Sequence, residues 1–205
     1  MPIFEKAGRR IAFIHIPKAA GTSIEQFFQA NEWSMSFYKQ CDDPSIPSDH
    51  HFTYETLRER ISDLDSMTSF CIVRNPYSRA VSEWRWQTQA IRLCRLNFED
   101  FMRRVEVSLR TSKTYFDNHW RPQSDFLDEN INSIIPIESL AERFQEFCVE
   151  HDLDATSALP RAGRVQPTTR SFVLEITEES LQRIRRIYAR DFETLNYSLE
   201  VPSLR

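Results

Sequence analysis

Lysine is scarce in this chain, since only four of its 26 cationic residues are lysine and the rest are arginine. The opening residues, MPIFEKAGRRIAFIHIPK, lack an apolar run long enough for a signal peptide or a membrane span. The net charge of -4 and the isoelectric point near 5.8 do not supply the basic surface that binding to nucleic acid or an anionic membrane requires. We therefore expect a cytoplasmic protein with no transmembrane segment and no nucleic-acid partner.

Cysteine is also sparse, and the four cysteines form no CxxC pair (Cys41, Cys71, Cys94 and Cys148). This spacing favours reduced, buried thiols over a disulfide framework or a zinc site, and we expect no metal. Low-complexity segments are absent as well, and hydrophobic residues make up 40% of the chain. A chain of 205 residues with this composition predicts one soluble domain over residues 1–205.

The stretch FIHIPKAAGTSIEQFF, Phe13–Phe28, combines a strand pattern with a helix pattern. Apolar residues from Ile11 to Ile16 predict a buried strand, Pro17–Gly21 a turn, and the helical spacing from Thr22 onward a helix that packs on a sheet. A second unit repeats this order in SFCIVRNPYSRAVSEWRWQ, where a strand at 69–73 is followed by a break and a helix. Two strand-loop-helix units predict an α/β fold with a central parallel sheet flanked by helices.

The remaining elements follow from spacing and capping residues. We predict a third short strand at 134–137, a loop over 34–50, and helices at 98–109, 139–151 and 177–191. Thr53 is expected to cap a short helix, and Ser139 with Glu142 forms the pattern of a capping box.

The first turn has the residues of an anion site. A turn that leaves a parallel strand and enters a helix presents free N–H groups at the positive end of the helix dipole. Lys18 adds a charge, Gly21 allows close approach of the backbone, and Thr22 and Ser23 add hydroxyl donors. This is not a Walker A loop, because Lys18 precedes the glycine instead of following it. The alternative is a solvated lysine beside hydroxyls that only cap the helix.

The second turn supplies a cation and a hydroxyl. Arg74 ends the predicted strand, and Ser82 lies eight residues further on in the next helix. Both can point across the carboxyl end of the sheet, where ligands bind in open α/β folds, and an arginine fork with a hydroxyl suits a phosphate monoester. The alternatives are an ordinary ion pair for Arg74 and a surface position for Ser82.

Together the two turns resemble a known family. FIHIPKAAGTS is similar to the 5′-phosphosulfate loop, and IVRNPYSRAVSEW to the 3′-phosphate segment, of carbohydrate sulfotransferases related to heparan sulfate 2-O-sulfotransferase. The resemblance continues through HWRPQSDFL (119–127) and YARDFETLNY (188–197). It implies a P-loop-like sulfotransferase fold, with 3′-phosphoadenosine 5′-phosphosulfate (PAPS) as co-substrate and a hydroxyl acceptor, a saccharide in related enzymes. It implies the 5′ end of the nucleotide at Lys18, Ala20, Gly21, Thr22 and Ser23, and the 3′-phosphate at Arg74 and Ser82.

Sulfuryl transfer needs charge stabilisation and a base. We expect Lys18 to stabilise the negative charge that grows on the leaving phosphate. We expect a histidine to take the proton of the acceptor hydroxyl, because the pKa of histidine lies near neutrality. His51 is the predicted base, since HHFTYETL resembles the family stretch that holds the catalytic histidine, and His50 is its rival. His15 is expected in the core. His119, with Arg121 and Gln123, either lines the acceptor cleft or supports the fold.

The chain departs from the family pattern at two places. Ala19 stands where family members often have threonine, and the loop LPRAGRVQPTTRS lacks an expected asparagine pattern. Arg161, Arg164 and Arg170 of that loop either reach the 3′-phosphate or are solvated. The short chain leaves little room for insertions that grip a long polysaccharide, which predicts a smaller acceptor or an open cleft.

Two other functions remain compatible with these residues. A nucleotide-dependent kinase would need magnesium and a carboxylate near the first turn, and the motif shows none. A domain that only binds adenosine 3′,5′-bisphosphate, as a sensor or scaffold, would keep the anion sites without catalysis.

Overall fold

The computed structural model describes residues 1–38, 47–91, 94–153, 159–160 and 174–204. Cys41 and the three arginines considered for the 3′-phosphate, Arg161, Arg164 and Arg170, lie outside these residues. The other three cysteines are buried free thiols, as the cysteine spacing predicted.

Within the described residues, five strands form one sheet. They are β1 (Ile3–Lys6), β2 (Arg9–Ile14), β3 (Ser34–Ser36), β4 (Thr68–Val73) and β5 (Ser133–Pro136). Their order across the sheet is β3-β1-β2-β4-β5. The pairs β2-β4 and β4-β5 are parallel, whereas β1 pairs antiparallel with both β2 and β3. The α/β fold with flanking helices is confirmed, but the sheet is mixed and not wholly parallel.

The antiparallel edge was missed because its signals are weak. Strands β1 and β2 are joined by a tight turn in which Ala7 and Gly8 have φ of 51° and 77°, the left-handed region that glycine adopts readily. Strand β3 has three residues with no buried side chain, so no apolar alternation marks it. The predicted loop over 34–50 is therefore wrong at its beginning, where Ser34–Ser36 extends the sheet.

Seven α-helices occur in the described residues. They are α1 (Gly21–Ala30), α2 (Tyr54–Arg58), α3 (Pro76–Arg85), α4 (Phe98–Thr111), α5 (Leu140–Glu150), α6 (Glu178–Ile187) and α7 (Ala189–Thr194). A π-helical turn, Trp86–Ala90, continues α3. None of the helices in the described part of the chain combines the length and the apolar character that crossing a membrane demands.

Local capping explains most helix starts. Thr53 caps α2 as predicted, accepting from the Thr56 N–H at 3.2 Å, and Asn75 caps α3 by accepting from the Tyr77 N–H at 3.0 Å. The capping box at Ser139 is wrong, because its side chain makes no cap hydrogen bond. The predicted last helix is divided at Tyr188, whose φ of -110° and ψ of 25° are not helical.

Aromatic side chains hold the helices on the sheet. Phe13 of β2 and Phe70 of β4 lie 5.0 Å apart between ring centroids, and Phe28 of α1 and Phe144 of α5 pack over them. A second cluster joins α3, α4 and α6 around the fully buried Trp84. Burying one such ring contributes about 1.5–3 kcal/mol, so these clusters hold firmly the sheet edge that carries the loops.

Candidate active site

A cleft of about 1190 Å³ opens where the parallel strands end. It is lined by residues from the loops that follow the carboxyl ends of β2, β4 and β5, as expected for ligand sites in open α/β sheets. Its predicted cofactor residues are Lys18, Ala20, Gly21, Thr22, Ser23, Arg74 and Ser82, and its histidines are His15, His50, His51 and His119. The loops from neighbouring strands therefore share one cavity.

The loop after β2 is bent by two left-handed residues. Lys18 has φ of 66° and Ala20 has φ of 61°, a conformation that costs non-glycine residues roughly 1–2 kcal/mol. Helix α1 starts directly after Ala20, and within the described residues the N–H groups of Gly21 and Thr22 have no acceptor. Free N–H groups at a helix start and a turn of this kind form an anion-binding concavity.

Gly21 is required by close packing in this loop. A Cβ at this position would overlap Nε2 of His15, so the imidazole occupies the space of a side chain. His15 is buried, as predicted, and its Nδ1 lies 2.9 Å from Oε1 of Glu25, although the pair is poorly aligned for a hydrogen bond. The His15 ring thus supports the anion loop from beneath.

Arg74 links the second loop to the first. Its Nη1 donates to the Lys18 carbonyl oxygen at 3.2 Å, so the Arg74 side chain reaches the backbone of the first loop. Ser82 is half-buried on α3 and lines the same cleft. Geometry therefore allows one ligand to contact both loops.

A buried arginine fixes the spacing of these parts. Arg79 of α3 donates from Nε to the Pro17 carbonyl at 3.0 Å and from Nη2 to the His119 carbonyl at 3.0 Å. Because a buried guanidinium without such acceptors would be costly, Arg79 ties the Lys18 loop to the segment that carries His119.

Lys18 lies over an aromatic ring and near a carboxylate. Its Nζ is 4.7 Å from the centroid of Trp86, the first residue of the π-helical turn. Burial lowers the pKa of Lys18 to about 8, an effect that Glu83 opposes and Arg74 reinforces. The charge of this lysine at neutral pH therefore depends on its neighbours.

His51 is held by a carboxylate that the sequence analysis did not single out. Its Nδ1 lies 2.8 Å from Oδ2 of Asp117. The same carboxylate accepts from the Ser48 backbone N–H through Oδ1 at 2.6 Å and from the Ser48 hydroxyl through Oδ2. Burial lowers the pKa of His51 well below its ordinary value, although the bond to Asp117 raises it. The imidazole is therefore neutral at pH 7, and with Nδ1 bound to Asp117 its Nε2 can accept a proton.

The segment that carries Asp117 is strained. Phe116, Asp117 and Asn118 have φ of 54°, 54° and 60°, three successive left-handed residues. The Asn118 side chain donates to the His51 carbonyl at 2.8 Å and so fastens this segment to the histidine. Strained backbone of this kind is concentrated at functional sites.

His119 also pairs with a carboxylate. Its Nδ1 lies 3.0 Å from Oε2 of the buried Glu83, whose Oε1 accepts from Gln87 at 2.6 Å. Burial would raise the pKa of Glu83, but His119, Lys18 and Gln87 lower it below its ordinary value. The His119 ring stacks on Trp86 at 4.7 Å and meets the His51 ring at 4.9 Å. Glu83 is thus a carboxylate near Lys18, although both of its oxygens are engaged.

His50 completes the histidine cluster. Burial lowers its pKa to about 4, and its Nδ1 is a buried atom that finds no hydrogen-bond partner among the described residues. One ligand atom each from His50, His51 and Asp117 lie within 4.8 Å of one another, which is close enough to admit a metal ion after small adjustments. No sequence pattern indicates this cluster, because Asp117 lies 66 positions from His51 in the chain.

Arg121 and Gln123, the weaker candidates for the acceptor, do not line the cleft. Arg121 donates from Nε to Asp125 at 3.3 Å. Gln123 is fully buried, and its amide bonds the backbone of Arg74. These contacts give both residues structural partners away from the open space.

The family of this chain follows from its match to a family model. Residues 3–198 match the model described as the sulfotransferase family. The chain belongs to the sulfotransferase family. This confirms the family predicted from the two loop motifs and supports sulfuryl transfer in general. No curated protein and no solved structure matches this sulfotransferase significantly.

Several residues that line or support the sulfotransferase cleft could not be found from the sequence. Asp117, Glu83, Trp86 and Arg79 belong to no motif that was assigned a role, and each acts on a residue distant in sequence. The only local signal is that Glu83 follows Ser82 and that Asp117 precedes His119 by two positions. Such proximity is too common to indicate a site.

Proposed function

We propose that this sulfotransferase transfers a sulfuryl group from PAPS to an acceptor hydroxyl, and that the acceptor is a carbohydrate. The observation that carries the proposal is the meeting of two anion-binding loops, with Arg74 Nη1 3.2 Å from the Lys18 carbonyl oxygen, beside the buried His51 and its partner Asp117 in the same cleft. The single domain over 1–205 and the cytoplasmic location remain predictions from the sequence.

The donors of the cleft suit a nucleotide with two anionic ends. The free N–H groups of α1 and the Lys18 ammonium would hold the 5′ end, and the Arg74 guanidinium with the Ser82 hydroxyl would hold the 3′-phosphate. When bound, PAPS supplies the sulfuryl group, and adenosine 3′,5′-bisphosphate is the leaving group. We expect this binding to need no metal.

His51 acts as general base in this proposal. Asp117 fixes the imidazole with Nδ1 toward the carboxylate, so Nε2 takes the acceptor proton as the new oxygen–sulfur bond forms. Asp117 also stabilises the imidazolium that results. Lys18 offsets the negative charge that develops on the oxygen leaving sulfur, an electrostatic contribution of roughly 2.7–4 kcal/mol in comparable sites.

Ligand binding tests the nucleotide assignment first. Thermal unfolding is measured with adenosine 3′,5′-bisphosphate and with ATP–magnesium, and we expect the bisphosphate to give the larger stabilisation, about 2.7 kcal/mol at a hundred times its Kd. Equal shifts, or no shift with the bisphosphate, would contradict the assignment. A shift with ATP–magnesium alone would favour the kinase.

Catalysis is tested by labelled sulfate transfer to a panel of sugars, lipids and phenols, with EDTA present. We expect transfer to a sugar, and we expect His51→Ala to lower turnover by about 10²–10⁴-fold while it keeps bisphosphate binding. Full turnover by His51→Ala would show that another group is the base. Binding without transfer to any acceptor would favour the sensor or scaffold.

A further inference from the structure

The backbone of Arg74 lies just beyond the last pair of the parallel sheet. Val73 of β4 is opposite Pro136 of β5, and Arg74 has no partner on that strand. The side-chain amide of Gln123 fills this position, because its Oε1 accepts from the Arg74 N–H at 2.9 Å and its Nε2 donates to the Arg74 carbonyl at 2.8 Å. One side chain thus satisfies both backbone groups of the residue, as a neighbouring strand would.

Gln123 is in turn held by a buried carboxylate from the end of the chain. Asp191 of α7 accepts from the Gln123 N–H at 2.9 Å and from the Ser124 N–H at 2.8 Å, and its Oδ2 lies 3.5 Å from Gln123 Nε2. Gln123 and Asp191 both have no exposed surface. Backbone donors stabilise the carboxylate, so the pair is rigid and well satisfied.

The guanidinium of Arg74 depends on this support. Its backbone is fixed by Gln123, and its Nη1 reaches the Lys18 carbonyl at 3.2 Å on the other loop. Glu138 lies beside it, with Oε1 accepting from the Asn75 N–H at 2.9 Å. A shift of the Arg74 backbone would therefore move the cation relative to both loops.

We infer that Gln123 and Asp191 are positioning residues that act through the Arg74 backbone and set the affinity of the cleft for the 3′-phosphate of the nucleotide. This inference rests on the proposed function, which assigns that phosphate to Arg74. It gives a role to the segments HWRPQSDFL and YARDFETLNY, which meet here although 68 positions separate Gln123 from Asp191.

The test compares two probes, adenosine 3′,5′-bisphosphate and adenosine 5′-phosphate, by calorimetry. The ratio of their Kd values reports what the 3′-phosphate contributes. We expect Gln123→Met, which keeps size but loses both bonds, to weaken bisphosphate binding about tenfold and to leave the monophosphate within about twofold. Asp191→Asn is expected to give a smaller change in the same direction, and it serves if Gln123→Met does not fold.

A matched control removes a similar bond at the opposite end of β4. Asn132 accepts from the Ser69 N–H at 2.7 Å, far along the strand from Arg74. We expect Asn132→Leu to change neither affinity. In an Arg74→Met background, Gln123→Met should have no further effect on the ratio, because the group through which it acts is already gone.

The outcomes separate the two proposals. If the unsubstituted protein binds both probes equally, the proposed function itself is overturned. If it prefers the bisphosphate, and Arg74→Met removes the preference, the 3′-phosphate site stands. Should Gln123→Met then weaken both probes alike, or leave the ratio unchanged, Gln123 only supports the fold and the inference is wrong.

Discussion

The two anion-binding loops and two of the histidine–carboxylate pairs, His51–Asp117 and His119–Glu83, meet at one cleft but are built in different ways. Each loop is a contiguous segment between a parallel strand and a helix, so its donors are brought together by local chain geometry. Each histidine pair joins segments that are distant in sequence, 66 positions apart for His51 and Asp117 and 36 for His119 and Glu83. The loops therefore depend on backbone conformation, whereas the pairs depend on side-chain contacts.

The same difference appears in the electrostatics. The loops offer cations and N–H groups to an anion, while each pair holds an imidazole against a carboxylate, and burial lowers the pKa of the His51 imidazole. Lys18 connects the two regions, because it belongs to the first loop but lies over Trp86 beside His119. Substitutions on each side should therefore have distinct consequences for binding and for turnover.

Lys18→Ala should have the largest effect. Removing the only lysine of the first loop leaves the growing negative charge without its main counter-charge, and we expect kcat to fall by about 10²–10³-fold. Lys113→Ala removes an exposed lysine paired with Asp125 at 3.1 Å and should leave kcat unchanged. Labelled sulfate transfer measures both. If Lys18→Ala lowered kcat by less than about threefold, Lys18 would not take part in the chemical step.

Asp117→Asn tests the role of the His51–Asp117 pair. The amide keeps the shape but no longer stabilises a protonated His51, so we expect kcat to fall by about 10²-fold while bisphosphate affinity stays within about twofold. Asp128→Asn, which alters a carboxylate paired with Arg58 at 3.5 Å, is the control. If Asp117→Asn weakened nucleotide binding as much as turnover, the two regions would not be separable.

Glu83→Gln tests whether the Glu83 carboxylate maintains the charge of Lys18. Lys18 stabilises negative charge only when protonated, and its pKa of about 8 is held up by Glu83. Loss of that carboxylate lowers the Lys18 pKa, so the alkaline limb of kcat/KM should move to lower pH, with a loss of about tenfold at pH 8 and little loss at pH 6.5.

A matched carboxylate keeps this pH experiment specific. Glu25 is buried in the same cleft but pairs with His15, so Glu25→Gln should leave the alkaline limb in place. A loss in Glu83→Gln that is equal at all pH values would mean that Glu83 supports the fold of α3 and not the charge of Lys18.

Gly21→Ala alters the first anion-binding loop and is expected to have the smallest effect of these substitutions. The new Cβ would displace the His15 ring, and we expect the free energy of unfolding to fall by about 1–3 kcal/mol, together with weaker bisphosphate binding. Gly8→Ala meets no atom within 4 Å, although its φ of 77° is strained, so it should lower stability without changing affinity. Urea unfolding and calorimetry distinguish the two variants.

Much of the fold could be predicted because its signals are local. The apolar runs of β2 and β4 and the cap at Thr53 are encoded within a few residues. The edge strand Ser34–Ser36 and the division of the last helix at Tyr188 could not, because pairing with β1 and packing of the chain end override weak local preferences.

The sequence by itself determined the two strand-loop-helix units and the donors of their loops, since a parallel strand that enters a helix places those residues at the sheet rim whatever surrounds them. Only the tertiary structure decided which carboxylate holds His51, which holds His119, and that Gln123 supports Arg74. These contacts join distant segments, one of them through three left-handed residues at 116–118, and no local pattern encodes them because their energy exists only after the chain has folded.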